Sequence, residues 1–136
     1  MGAEKKGRTV GSDAAEGAGE NVLCAEDNST SFEDLERQYA EAERRYFGDA
    51  HIEAYFTDHA RACAAAGRRF STYERAEWLR WYKPSDSQGR DIEVNNTDIP
   101  ILARLTLERV PEAVPFMELR KSKFDAVYQA RMAIHG

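Results

Sequence analysis

The sequence predicts an all-α protein: a small bundle of four to five helices, a disordered N-terminal tail, and a long loop at about 83–98. Three observations carry this reading. Residues 1–30 contain no aromatic side chain, whereas all six Phe, all six Tyr and both Trp follow Ser31. Beyond Ser31 the apolar residues recur at the three- and four-residue spacings of amphipathic helices. Gly48, Gly67, Pro84 and Pro111 cut that pattern into helix-length pieces. The domain organisation that follows is a flexible polar tail, 1–30, ahead of a helical domain, 31–136.

The first helix begins at Ser31, where Ser31 and Asp34 have the spacing of a capping box. Phe32, Leu35, Tyr39, Ala42 and Tyr46 then share one stripe, with Glu33, Asp34, Glu36, Glu41 and Glu43 as a solvated face, until Gly48 ends the helix. A second helix is expected from about Asp49 to Ala66, burying Ile52, Tyr55, Phe56 and Cys63, with Gly67 as its left-handed stop. The third starts at Ser71-Thr72-Tyr73-Glu74, a second capping box, and runs through Trp78 and Tyr82 to the Pro84 barrier.

Pro, Ser, Asp, Gln, Gly and Asn crowd residues 83–98, and Asp91 to Val94 read as a brief extended piece. Loops of this length usually carry function or lie on a partner. Thr97 or Asp98 can cap a fourth helix with Pro100 in its first turn and Ile101, Leu102 and Leu105 on its apolar face. Ala103, Leu105 and Leu107 also alternate as a strand would, so residues 99–110 allow both forms. The last helix is expected from about Glu112 or Pro115 to Ala133, with Phe116, Leu119, Phe124, Val127, Tyr128 and Met132 as its apolar set.

Composition narrows the function. The chain of 136 residues is 32% charged and 42% hydrophobic, and no apolar run approaches the ~20 residues that a membrane span needs. Contact with a membrane complex would therefore be peripheral. Residues 1–67 hold 7 basic and 14 acidic side chains against 12 and 10 in residues 68–136, an acidic front half that argues against a general nucleic-acid binder. The first residues lack the apolar core of a secretory signal, so Cys24 and Cys63 are expected in an intracellular, reducing compartment. A mitochondrial interior is compatible with this, although no targeting sequence supports it.

No residue set identifies a reaction. His51, Tyr55, His59 and Cys63 recur every four residues along the second helix, and His59 with Cys63 offers two zinc ligands where three or four are needed. Cys63 lies in an alanine-rich helix, which suits an inert buried thiol better than a nucleophile. Phosphate-binding glycine loops and paired-Cys spacings are missing. The chain is therefore expected to be non-enzymatic, with no catalytic, cofactor-binding or metal-binding residues; a metal-dependent enzyme around His59 is the weakest of the readings.

The segment from Gly67 to Lys83 is the densest in interface-forming residues. Arg68, Arg69, Arg75, Arg80 and Lys83 alternate there with Phe70, Tyr73, Trp78, Trp81 and Tyr82, and Trp and Arg dominate the energetics of protein interfaces. Arg69, Tyr73, Trp78, Trp81 and Tyr82 are the expected partner-binding residues, and the partners are expected to be other protein subunits. The alternative is a small nucleic-acid-binding protein using Arg68, Arg69, Arg75 and Arg80 with Trp78 stacked on bases.

Farther along, Trp81-Tyr82, Asp91-Ile92, Arg109-Val110-Pro111-Glu112 and Arg120 follow one another in an order loosely similar to the small helical matrix-side binding subunit of the respiratory ubiquinol–cytochrome c reductase. The family's basic stretch after the Pro-Glu pair is not reproduced, and the first 70 residues have no counterpart. The resemblance implies an accessory subunit of a large assembly, without catalysis of its own, in a mitochondrial setting.

Overall fold

The computed structural model describes residues 31–135. The polar tail and Cys24 lie outside them. Five α-helices occur among the described residues: α1 (Phe32–Ala42), α2 (Ala50–Ala66), α3 (Thr72–Tyr82), α4 (Ile99–Arg109) and α5 (Asp125–His135). Among the described residues isolated bridges replace strands, and no helix is long and apolar enough to cross a membrane. The all-α class and the long loop after α3 are as the sequence predicts.

Within α1 the Asp34 amide donates to the Ser31 hydroxyl at 3.1 Å. The helix passes directly into a π-helical turn, Glu43–Phe47, which ends at Gly48. A π turn takes up an extra residue, so the sequence neighbours Tyr46 and Phe47 are both buried. Asp49 then caps α2, accepting from the His51 and Ile52 amides, and Gly67 closes it in the left-handed conformation (φ 67°).

α4 is the central helix, packed against α2 and α3. Ile99, Ile101, Leu102, Ala103, Arg104, Leu105, Thr106 and Leu107 are all buried, so its buried surface is not one face but nearly the whole circumference. This is why the sequence also reads there as an alternating strand. Asp98 occupies the cap position, but its carboxylate makes no cap bond; it accepts instead from the Tyr46 hydroxyl at 2.6 Å and pairs with Arg45 at 3.2 Å.

The last helix departs from expectation. Pro111–Phe116 forms a 3-10 turn, Met117 to Lys123 is non-helical, and α5 begins only at Asp125. Pro111 and Pro115 supply no amide to a helix, and the chain after them is claimed by a distant partner: the Phe70 amide donates to Phe116 O at 2.9 Å and the Glu118 amide to Phe70 O at 3.0 Å. Leu119, assigned by its spacing to an apolar face, is consequently 40% exposed. α5 starts through its own cap, with the Ser122 amide donating to Asp125 Oδ2 at 3.0 Å and the Phe124 amide to Ser122 Oγ at 3.1 Å.

Candidate docking surface

α3 is fixed at both ends by local chemistry. The Ser71 hydroxyl accepts from the Tyr73 and Glu74 amides, as the Ser-Thr-Tyr-Glu signal predicts. At the other end Lys83 adopts the left-handed conformation (φ 45°), and its amide closes on Leu79 O. Leu79 and Thr72 mark the inward face.

The helix is latched to α2 by a reciprocal pair. The Tyr55 hydroxyl donates to Arg75 O at 2.7 Å, Arg75 Nε donates to Tyr55 O at 3.0 Å, and the guanidinium lies 3.8 Å from the centre of the Tyr55 ring. Beside this latch His59 packs edge-on against Phe70 at 5.6 Å and tilts against Trp78 at 6.2 Å; Trp78 in turn meets Tyr82 at 5.6 Å. Burial first, then the Arg75 and Arg68 charges, hold the His59 imidazolium below its ordinary pKa.

Of the five expected partner-binding residues, Trp78 and Tyr82 come together on the side of α3 nearest His59. Trp78 is 41%, Tyr82 72% and Trp81 74% exposed. Trp81 makes no ring contact among the described residues. Tyr73 lies on another side of the helix beneath the Arg120 guanidinium, which is 5.2 Å from its ring centre. Arg69 is exposed on the short link ahead of Phe70. Among the cations that would contact nucleic acid, Arg75 is committed to Tyr55 and Arg80 pairs with Glu77 at 3.6 Å.

The stripe down α2 resolves into a support for this surface. Cys63 is buried, with its sulfur 3.6 Å from His59 Nε2 and 3.8 Å from the Arg68 guanidinium. His51 is exposed at the start of the helix. Among the described residues no three His, Cys, Asp or Glu side chains gather as a metal ion would require. The Tyr55–Arg75 latch escaped sequence reasoning; its partners, an aromatic and an arginine, stand twenty positions apart and only the α2–α3 turn brings them together.

The loop after α3 is held rather than loose. Asp86 accepts from the Gln88 and Arg90 amides at 2.8 and 2.9 Å, Gly89 takes a positive φ of 80°, and Ser85 bridges Asp91. Ser87 donates through both its amide and its hydroxyl to Asp49, the α2 cap, which ties the loop to the bundle. The extended piece expected over Asp91 to Val94 is thus a single bridge at Asp91.

The residues of the family-like order take varied places. Val110 is fully buried, Arg109 pairs with Glu43 and Glu53, Pro111 opens the 3-10 turn, and Trp81 and Tyr82 are exposed. No protein-family model, no curated protein and no solved structure matches the chain.

Proposed function

We propose that this protein is a non-catalytic accessory or adaptor subunit of a larger protein assembly, docked through the aromatic and arginine-rich end of α3 and the loop that follows it. One observation carries the reading: Trp81 and Tyr82, adjacent at the end of a well-capped helix, are about three-quarters exposed, at 74% and 72%. Large apolar side chains grouped at the surface mark interaction sites, and Trp and Tyr anchor most strongly when a partner desolvates them. The order of residues that is loosely similar to the matrix-side reductase subunit makes a respiratory-type complex of the mitochondrial interior the first assembly to test.

The experiment is co-purification of full-length parent and Trp81→Ala from native extract, with thermal melts of both. The exposed ring contributes little to the fold, so the variant is expected to melt within about 2 °C of the parent while partner affinity falls by ~30-fold, about 2 kcal/mol. Equal recovery of the same partners with the variant and the parent refutes this surface. Retention of the parent on single-stranded RNA, falling steeply with added salt, would instead favour the nucleic-acid alternative.

A further inference from the structure

The side of α3 that bears Tyr73, Ala76 and Arg80 borders a second feature. An open groove of about 660 Å³ runs between this helix and residues 91–96. Leu79, Ile92, Val94 and Ile99 supply its apolar lining, and three of them, Leu79, Ile92 and Ile99, are buried. Around that lining stand four carboxylates, Glu74, Glu77, Asp91 and Glu93, against two cations, Arg80 and Lys83. Arg80 is already engaged by Glu77. The groove is therefore apolar at its base and acidic at its rim.

Its loop wall also offers main-chain groups. The Ile92 amide is taken by Pro84 O at 3.1 Å and the Asn95 amide by the Tyr46 hydroxyl at 3.2 Å. Between them, the Glu93 and Val94 peptide groups make no hydrogen bond among the described residues. Asn95, which follows, is extended (φ −73°, ψ 136°). Free peptide groups along an apolar trough are what an added extended chain pairs with.

We propose that this groove receives an extended segment of a protein partner in which basic and apolar residues alternate. Alternate side chains of an extended chain point to opposite sides, so its apolar residues reach Leu79, Ile92 and Ile99; successive peptide groups face opposite edges, and with the Ile92 amide turned to Pro84 O it is Glu93 whose amide and carbonyl are left for the added chain. Lys or Arg side chains at the intervening positions lay their stems along the rim and bring their charges to Glu74, Asp91 and Glu93. The excess of carboxylates repels a phosphate-bearing or acidic ligand. This site shares Arg80, Lys83 and the loop with the docking surface proposed above, but it does not use Trp78, Trp81 or Tyr82.

The test is a titration of the 15N-labelled full-length protein with acetyl-Lys-Val-Lys-Val-Lys-Val-amide, followed by amide chemical shifts. Saturable changes are expected at Leu79, Ile92, Glu93, Val94 and Ile99. A peptide with Glu in place of Lys, and one N-methylated along its pairing edge, are each expected to bind about tenfold more weakly, or about 1.4 kcal/mol. The double variant Glu74→Gln, Glu93→Gln alters two exposed side chains and is expected to weaken the basic peptide by a similar factor while melting like the parent. No groove shift at millimolar peptide overturns the proposal, as does equal binding of the acidic peptide. Shifts confined to Trp78, Trp81 and Tyr82 also overturn it and point to the aromatic surface instead.

Discussion

Arg104 is the largest fully buried side chain among the described residues, 1% exposed in the middle of the central helix. Its guanidinium donates to Pro100 O at 2.8 Å, to Arg120 O at 2.6 Å and, through Nε, to Asp125 Oδ1 at 2.8 Å. One cation thus ties the non-helical stretch before α5 to α4. The pair is asymmetric, because the Asp125 side chain is 41% exposed and the arginine 2%. Replacing the arginine leaves a carboxylate that water can solvate, whereas neutralising the aspartate strands a buried charge. Asp125→Asn, which keeps an acceptor oxygen for the Ser122 amide, is therefore expected to cost about 3 kcal/mol and Arg104→Met no more than about 2. Urea unfolding of the two variants checks the ordering, and a costlier Arg104→Met contradicts it.

Elements in this protein are decided by different ranges of interaction, and Gly48 shows the short range. Its φ of −76° is open to any residue, yet a Cβ there would lie 2.3 Å from Arg44 O, a carbonyl of the π turn. Gly48→Ala is expected to cost about 1–3 kcal/mol by forcing that turn to shift. Because the π turn places Tyr46 for Asp98, the same change should perturb the start of α4; near-ultraviolet circular dichroism and a thermal melt read both effects. An unchanged melt would mean that the turn relaxes freely.

The same distinction of range explains what was legible in the sequence. α2 and α3 are set by Gly67 and Ser71, local signals whose meaning survives folding, and both helices fall where those residues put them. Ser122 and Asp125 repeat the spacing of Ser31 and Asp34 and could have marked the start of α5. The signal was hidden because apolar spacing across Phe116, Leu119 and Phe124 imitates a continuous helix. What breaks that helix is the pairing of Phe70 with Met117, which no local window contains. At the docking surface the residue types of α3 were readable, but their exposure was not: periodicity cannot say which side of an aromatic helix α2 covers. The acidic groove lay further out of reach, since it needs α3 and residues 91–96 side by side.

At the scale of the whole molecule, a partly buried charge network holds the bundle in register. Arg131 of α5 reaches Glu43 at 3.0 Å and Glu108 at 2.9 Å, Arg109 reaches Glu43 at 2.8 Å and Glu53 at 3.0 Å, and the Tyr39 hydroxyl donates to Glu108. Against the opposing effect of burial, Arg109 and Arg131 keep the Glu43 carboxyl below its usual pKa. Asp125 is likewise lowered, with burial outweighed by the Ser122 amide and Arg104. A depressed carboxylate contributes stability that is complete above its unfolded pKa, about 4, and lost as pH falls through the folded value. His59 acts earlier: its depressed imidazolium means that stability is complete above about pH 6.5 and declines as pH drops below it, because the unfolded chain then binds the proton more readily. Two separate declines are expected, one beginning near pH 6.5 and one near pH 4. Urea unfolding of the parent and of His59→Gln between pH 7.5 and pH 3.5 tests this. The variant should lose the first decline and keep the second, and the Trp78 ring, 6.2 Å from His59, should change its fluorescence in the folded parent only at the lower pH where the folded imidazole itself takes the proton. Identical slopes for parent and variant between pH 7 and 5 would show that His59 is as easily protonated folded as unfolded, and the packing argument for the α2–α3 surface would fail with it.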